Sequence, residues 1–335
     1  MAVRKIAANE SYLLVSRIHR AARCAAAPDA TMPTASAIPS PIAKLRTYGS
    51  FVRFEHTLFS LPLILAGVFS SPGAGLSAAR WGWIALAAVG ARTAAMALNR
   101  LIDRRLDALN PRTRARELPS GAMRTAEAIA LLVVSAGVYV GACAALGPWY
   151  LRVSPVPLAV FAIYPYLKRW TPLCHLGVGL ALALAPLAGY AAAHPDLARP
   201  EVALWISLFA LLWVSGFDII YATLDESFDR EQGVHSLVAW LGRERALKVS
   251  SFLHRAAALA LVPAVVSLLH LVPEGPFARL VPAIASLALL TTVAVLLALE
   301  QRWAENVNLA FFKVNVWVGF AVLALVLVAR SAAGF

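Results

Sequence analysis

The chain has 335 residues, of which 60% are hydrophobic and only 14% are charged. Because soluble domains carry about 25% charged residues, this composition excludes an ordinary soluble protein and indicates an integral membrane protein in a lipid bilayer. The net charge of +12 is compatible with a nucleic-acid partner. However, the basic residues lie in short segments between apolar runs, which favours positively charged cytoplasmic loops and no nucleic acid.

Residues 1–44 precede the first long apolar run, and we expect them to be a tail outside the membrane domain of residues 45–335. Basic residues and alanines in the range 1–31 superficially resemble a targeting peptide. The apolar core from Tyr12 to Ser16 is too short for a secretory signal. We interpret the segment as an unstructured tail or a misassigned start, with Met32 opening the protein.

Apolar runs of about 20 residues, the length of a membrane-spanning helix, follow along the rest of the chain. They predict an all-α integral membrane protein with about nine transmembrane helices. The predicted helices lie near 55–73, 81–101, 125–146, 149–167, 173–193, 202–221, 248–270, 279–299 and 308–329.

The connecting loops predict the orientation of these helices. Loops 100–124, 168–172 and 222–248 are rich in arginine and lysine, whereas the alternate loops are poor in both. Positive loops stay in the cytoplasm, so we expect a cytoplasmic N-terminus and, with nine helices, an outer C-terminus. The expected location is the inner membrane of a bacterium.

Two acidic pairs, Asp103 with Asp107 and Asp225 with Asp229, lie where predicted helices meet positive loops. Their i, i+4 spacing would place both carboxylates of a pair on one helix face. Carboxylates at a membrane edge are costly to desolvate and indicate function. Such carboxylates, completed by substrate phosphates, are typical ligands of Mg²⁺.

The two acidic pairs also predict an internal duplication. Asp225 follows Asp103, and Asp229 follows Asp107, by the same offset of 122 residues (225 − 103 and 229 − 107). Four predicted helices separate the pairs, so both repeats have the same orientation in the membrane. Two pseudo-repeated bundles would then face one central cavity and bring the pairs together.

Further polar residues extend these acidic motifs. Asn99 continues the first by one turn, Tyr221 and Asp218 continue the second, and Tyr164 with Lys168 repeats the spacing at a third helix end. Metal ions flanked by lysine and arginine suit a diphosphate. No glycine-rich phosphate loop is present, which disfavours nucleoside triphosphates. A diphosphate at a lipid interface indicates a polyprenyl diphosphate substrate.

The acidic pairs, preceded by Asn99 in the first, together with the Tyr164–Lys168 motif resemble the signature of the UbiA superfamily of intramembrane prenyltransferases. The resemblance covers roughly residues 45–330. It implies nine helices around a cavity, two Mg²⁺ ions held by the acidic motifs, a lateral opening for the prenyl chain, and transfer of that chain to an acceptor, often an aromatic ring.

Two segments indicate the acceptor within that superfamily. The segments 53–62 and 217–221 resemble 4-hydroxybenzoate polyprenyltransferases of quinone biosynthesis, which act on an aromatic carboxylic acid. In contrast, His235 stands where those enzymes commonly have lysine in a Gly-x-Lys-Ser motif that ends here at Ser236. His235 is more similar to relatives proposed to prenylate a dihydroxynaphthoate in the futalosine route to menaquinone. The acceptor stays open between these two.

The resemblance implies a role for each candidate residue. The metal ligands would be Asp103, Asp107, Asp225 and Asp229; the catalytic group would be Lys168, Tyr164, Tyr221 and Asp218; substrate would be bound by Arg53, Asn99, Arg112, Arg116 and Ser236. Arg53 would bind the acceptor carboxylate, or would instead serve as an interfacial anchor. Independently of the resemblance, His56 is expected to be a core histidine, with a catalytic base as the alternative. Asn306, Asn308, Lys313 and Asn315 are expected to hydrogen-bond between helices, with lining of the cavity as the alternative.

A secondary transporter is the alternative from another functional class, since transporters also combine internal repeats with intramembrane carboxylates. Its ion sites should lie halfway through the bilayer. The aspartates here lie at helix ends beside basic loops, where a diphosphate could reach them from the cytoplasm. Prenyl transfer is therefore favoured.

Overall fold

The protein is described by a computed structural model that covers residues 40–53, 57–72, 75–273, 275, 278–304 and 314–333. Within these ranges every regular element is a helix and no strand occurs. The chain divides into two compact units, residues 1–45 and 46–335. Residues 1–39, most of the predicted tail, lie outside the described ranges. The helix Pro41–Phe51 includes the last residues of the predicted tail.

Thirteen α-helices make up the described ranges. They are α1 (Pro41–Phe51), α2 (Thr57–Val68), α3 (Ala78–Leu109), α4 (Thr125–Leu146), α5 (Pro148–Val153), α6 (Pro155–Leu167), α7 (Cys174–Ala193), α8 (Glu201–Ala222), α9 (Glu226–Glu231), α10 (Leu237–Leu241), α11 (Arg243–Leu269), α12 (Leu280–Arg302) and α13 (Asn315–Ala332), with a 3₁₀ turn at Thr223–Asp225 between α8 and α9.

Seven helical segments of the described chain are long and apolar enough to cross a membrane. Two predicted spans fall short of that length. The described helix in the first, α2, has 12 residues. The 149–167 span is divided into α5 and α6 at Ser154, because Pro155 has no backbone N–H with which to continue the hydrogen bonds of the helix. The prediction of an all-helical membrane fold is confirmed, whereas the count of nine is not.

Helix α3 extends further than the apolar run alone predicts. The run ends near residue 101, but the helix continues to Leu109 and stops at Asn110, whose backbone is extended. Similarly, α11 begins at Arg243, inside the range that we assigned to a loop. Both extensions consist of polar turns, which an apolar-run criterion cannot detect because they lie beyond the bilayer core.

Glycines allow α7 to pack closely against its neighbours. A Cβ atom at Gly189 would lie 2.1 Å from the carbonyl oxygen of Ile64 in α2, and one at Gly179 would lie 2.4 Å from that of Leu211 in α8. Small residues permit such close backbone contact between membrane helices, where packing replaces the hydrophobic driving force. The first contact joins the end of α7 to α2, and the second joins the first half of α7 to α8.

A buried polar chain links α8, α12 and α13. The indole nitrogen of Trp213 donates to Asn315 Oδ1 at 2.9 Å, and Asn315 Nδ2 donates to Glu300 Oε1 at 2.9 Å. The predicted interhelical hydrogen bonding of Asn315 is therefore confirmed. Asn306, Asn308, Lys313 and His56 lie outside the described residues.

Candidate active site

A cavity of about 210 Å³ lies where α3, α6, α7 and α8 end or begin. Twelve of the thirteen predicted site residues line it, so both acidic pairs share one space, as the internal duplication predicts. These residues are Asn99, Asp103, Asp107, Arg112, Arg116, Tyr164, Lys168, Asp218, Tyr221, Asp225, Asp229 and Ser236. Arg53 is the exception.

The first acidic motif lies on one helical stripe. Because α3 continues to Leu109, Asn99, Asp103 and Asp107 follow one another at one-turn intervals and all face the cavity. Both carboxylates are buried. The i, i+4 prediction for this pair is confirmed.

The second acidic motif has a different backbone. Helix α8 ends at Ala222, a 3₁₀ turn covers Thr223–Asp225, and α9 starts only at Glu226. Asp225 has φ −112° and ψ 8°, outside the helical region. The prediction that Asp225 and Asp229 share one continuous α-helix is therefore wrong, although both still line the cavity.

Basic side chains bind the carboxylates of the cavity. Lys168 Nζ lies 2.6 Å from Asp103 Oδ2, and Arg116 lies 2.7 Å from Asp107 Oδ1. Opposite charges at this distance in a partly buried site attract strongly. The loop after α3 thereby folds back over the end of its own helix.

Arg112 connects the two halves of the cavity. Its guanidinium donates to both oxygens of the Asp225 carboxylate and to the Tyr221 hydroxyl, the latter at 2.8 Å. Asn110 Nδ2 also donates to Asp225 Oδ1 at 2.8 Å. Burial alone would lower the pKa of Arg112, but the hydrogen bonds and electrostatic attraction of Asp225 and Tyr221 together outweigh it and raise that pKa. Arg112 therefore keeps its charge beside the site.

The carboxylates of the cavity fit a hard divalent cation. Asp103 Oδ1 is buried and accepts no hydrogen bond from the described residues. Across the described ranges, no three His, Cys, Asp or Glu side chains cluster closely enough to hold one ion. Mg²⁺ suits such a donor set, since it is usually held by one or two carboxylates while substrate phosphates and water complete its shell.

The sequence analysis missed several polar residues of the cavity, among them Asn110 and His175. Asn110 immediately follows the first acidic motif, and His175 Nδ1 lies 2.6 Å from Asp218 Oδ2. The only signal for His175 was a titratable residue at the start of an apolar run. Ser236, which was predicted, also caps α10 by accepting the backbone N–H of Ala239 at 3.1 Å.

Arg53 lies outside the set of residues that line the cavity. It has a left-handed backbone with φ 49°, and its carbonyl accepts a hydrogen bond from Arg92 at 3.1 Å. Its assignment to the acceptor carboxylate therefore stays a prediction.

Comparison with known proteins decides the family. The model of the UbiA prenyltransferase family matches residues 60–317, which is most of the chain. The chain belongs to the UbiA prenyltransferase family. The fold is thus that of a UbiA protein, and the resemblance inferred from the acidic motifs is confirmed.

Relatives of this UbiA protein include enzymes named 4-hydroxybenzoate octaprenyltransferase. The one from Vibrio atlanticus is 32% identical over 160 residues, or 48% of this chain and 56% of the relative. The one from Vibrio parahaemolyticus is 28% identical over 207 residues, or 61% of this chain and 72% of the relative. The first match thus spans little more than half of the relative.

Solved structures of UbiA homologues have the same fold. The apo structure of a homologue from Aeropyrum pernix is 33% identical, with a TM-score of 0.70 over 82% of this chain and 98% of the other. A homologue from Archaeoglobus fulgidus, bound to GPP and Mg²⁺, is 17% identical, with a TM-score of 0.60 over 86% of this chain and 100% of the other. At that identity the second likeness concerns the fold alone.

Proposed function

We propose that this protein transfers a polyprenyl chain from a prenyl diphosphate to an aromatic carboxylic acid of the 4-hydroxybenzoate type, in quinone biosynthesis. The proposal rests on one observation: both aspartate pairs line the same cavity as Lys168, Arg112 and Arg116. Few functions other than diphosphate chemistry need acidic and basic groups together at a membrane edge.

The basic residues would bind the diphosphate group of the donor. Lys168, Arg112 and Arg116 each carry a charge beside the carboxylates and can donate to phosphate oxygens. Asp103, Asp107, Asp225 and Asp229 would hold Mg²⁺, which supplies positive charge that neutralises the diphosphate as it departs. Asn99 lies one turn before Asp103 and would hydrogen-bond a phosphate oxygen.

Two tyrosines would protect the allylic cation that forms as the carbon–oxygen bond of the donor breaks. Tyr164 and Tyr221 both line the cavity. The guanidinium of Arg112 lies over the ring of Tyr221, 4.7 Å from the ring centroid. An aromatic face stabilises a nearby cation electrostatically. The cavity of about 210 Å³ is smaller than the ~300–1,000 Å³ of pockets for drug-sized ligands, so it would hold the polar head of the donor and not its chain.

Asp218 is the proposed acceptor of the proton that the hydroxyl group of the aromatic acceptor loses. It lines the cavity two turns before Asp225, on the apolar side of the second acidic pair. Ser236, which also lines the cavity, would contact the substrate. Support for a 4-hydroxybenzoate acceptor comes from the names of the relatives, and support for a prenyl diphosphate donor with Mg²⁺ comes from the Archaeoglobus homologue.

The orientation of the site follows from the positive loops that surround it. We infer that the cavity opens to the cytoplasm, because loop 100–124, which supplies Arg112 and Arg116, is rich in basic residues. In a bacterial cell this places the protein in the inner membrane, where a soluble acceptor reaches the cavity from the cytoplasm.

The decisive experiment offers the purified protein Mg²⁺, radiolabelled prenyl diphosphate, and either 4-hydroxybenzoate or dihydroxynaphthoate. We expect a prenylated product with 4-hydroxybenzoate. Product with dihydroxynaphthoate only would retain prenyl transfer but change the acceptor. No product with either acceptor, from protein that elutes as a folded species, would contradict the proposal.

A matched pair of variants shows whether any product arises in this cavity. Asp225→Asn changes a carboxylate of the cavity, whereas Asp196→Asn makes the same change in the exposed loop after α7. Product formation should be lost in the first variant and retained in the second. Equal activity of the two would place the chemistry elsewhere.

A further inference from the structure

His175 lies between α8 and the start of α10, at the edge of the cavity. It is the second residue of α7 and is 4% exposed. Its Nδ1 atom lies 2.6 Å from Asp218 Oδ2 in α8, and its Nε2 atom lies 3.2 Å from the backbone nitrogen of Leu237 at the start of α10. The imidazole therefore bridges α8 and α10.

The hydrogen bonds of His175 define its tautomer. A backbone N–H is always a donor, so the contact with Leu237 requires Nε2 to be the acceptor. The ring proton must then be on Nδ1, from which it is donated to the Asp218 carboxylate. Both nitrogens are engaged, which leaves the ring no atom with which to act on a substrate directly.

The surroundings of His175 hold this bridge in place. Cys174 Sγ donates to the carbonyl of His235 at 3.4 Å, and the backbone N–H of His235 donates to the carbonyl of Lys168 at 2.7 Å. The segment before α10 is thereby tied to the end of α6 and the start of α7. An imidazole held from both sides can fix the carboxylate that it contacts.

Asp218 differs from His175 in its access to the cavity. Its side chain is 27% exposed, against 5% for that of His175. One carboxylate oxygen is held by the imidazole, while the residue lines the cavity. A carboxylate within hydrogen-bond reach of a substrate proton can act as a general base.

We propose that His175 is a positioning residue that holds Asp218 as the proton acceptor for the aromatic substrate. This inference rests on the proposed prenyl transfer. The ring carbon beside the acceptor hydroxyl bonds to the prenyl carbon, and the diphosphate leaves with the electron pair of the broken carbon–oxygen bond. Asp218 takes the hydroxyl proton during the attack. The proton then lost from the attacked carbon restores the hydroxyl, and Asp218 returns its proton to water.

Two substitutions separate the two hydrogen bonds of His175. In His175→Asn the amide nitrogen occupies the place of Nδ1 and can still donate to Asp218. In His175→Gln the longer side chain reaches the place of Nε2, so its carbonyl can accept from Leu237 while the donor to Asp218 is lost. His270→Gln, at the exposed end of α11, is the matched control.

We expect His175→Gln to lower kcat for prenyl transfer by about 10- to 100-fold, with little change in KM for either substrate. This loss is smaller than the full contribution of a general base, because Asp218 itself remains. His175→Asn should stay within about threefold of the native kcat. In an Asp218→Asn background, His175→Gln should cause no further loss, because the two residues act as a unit. Rates are expressed per folded protein, measured by size-exclusion chromatography.

Equal kcat for the two His175 variants, or additive losses with Asp218→Asn, would overturn the positioning role. A separate readout does not depend on prenyl transfer at all. ¹⁵N NMR of histidine-labelled protein should show His175 protonated on Nδ1 and unprotonated on Nε2. Protonation of Nε2 would overturn the inference. If His175 is protonated on Nδ1 but no prenylated product forms, the proposed function has failed, while the hydrogen bonds from His175 to Asp218 and Leu237 stand.

Discussion

Lys168 Nζ contacts Asp103 Oδ2 at 2.6 Å, although the two residues are 65 positions apart in the chain. The carboxylate is deeply buried, whereas the lysine is partly exposed to the cavity. The pair joins the end of α6 to the end of α3. It thus places a candidate metal ligand and a candidate diphosphate-binding cation side by side.

Lys168→Met should both destabilise the protein and abolish its activity. The substitution leaves the Asp103 carboxylate without its counter-ion, at a cost of about 2–3 kcal/mol; this is below the ~3–5 kcal/mol typical of a fully buried pair, because Lys168 is partly exposed. Thermal unfolding in detergent should therefore show a lower Tm. Adding Asp103→Asn should restore the Tm but not the activity. Recovery of turnover in the double variant would contradict a role for both charges in the reaction.

Asp103→Ala and Asp225→Ala should each reduce the rate of prenyl transfer by about 100-fold or more. Each removes a group that supports charge stabilisation around the departing diphosphate. Diphosphate release without acceptor and product formation with acceptor should both fall. Asp196→Ala, in the exposed loop, serves as the control. Near-native rates in both assays, in folded protein, would show that the acidic motifs serve helix packing or topology.

Removal of divalent metal should abolish turnover. The prediction rests on the donor chemistry of the four cavity aspartates and on Asp103 Oδ1, which is buried and accepts no hydrogen bond from the described residues. After exhaustive dialysis against EDTA, product formation should stop, and excess Mg²⁺ should restore it. Isothermal titration with Mg²⁺ and pyrophosphate should give heat in the native protein and little in Asp103→Ala. Full activity in EDTA would contradict the prediction that turnover requires a divalent metal.

Gly189→Ala should lower the Tm by separating α2 from α7. The added Cβ atom would lie 2.1 Å from the carbonyl oxygen of Ile64, so the backbones must move, at a cost of about 1–3 kcal/mol. Gly137→Ala is the matched control, since a Cβ atom there meets nothing within 4 Å. It should leave the Tm unchanged or raise it, because alanine favours a helix more than glycine does. Equal Tm values would mean that the close α2–α7 contact does not exist.

Most of the helical fold could be predicted from composition and apolar runs. Predicted helices near 125–146 and 173–193 match α4 and α7 almost residue for residue, because a bilayer demands a nearly constant apolar length. The polar extension of α3 to Leu109 could not be predicted in this way. Outside the bilayer core, helix ends depend on caps and tertiary contacts.

The sequence by itself determined which residues are candidates for the chemistry, whereas the tertiary structure decided how they are arranged. Local spacing defines a helix face, so the stripe from Asn99 to Asp107 could be predicted, but the 3₁₀ turn before Asp229 could not. The contact between His175 and Asp218 spans 43 residues. Gly179 allows α7 to pack closely against α8, and no periodicity within one segment encodes the partner of a side chain in another.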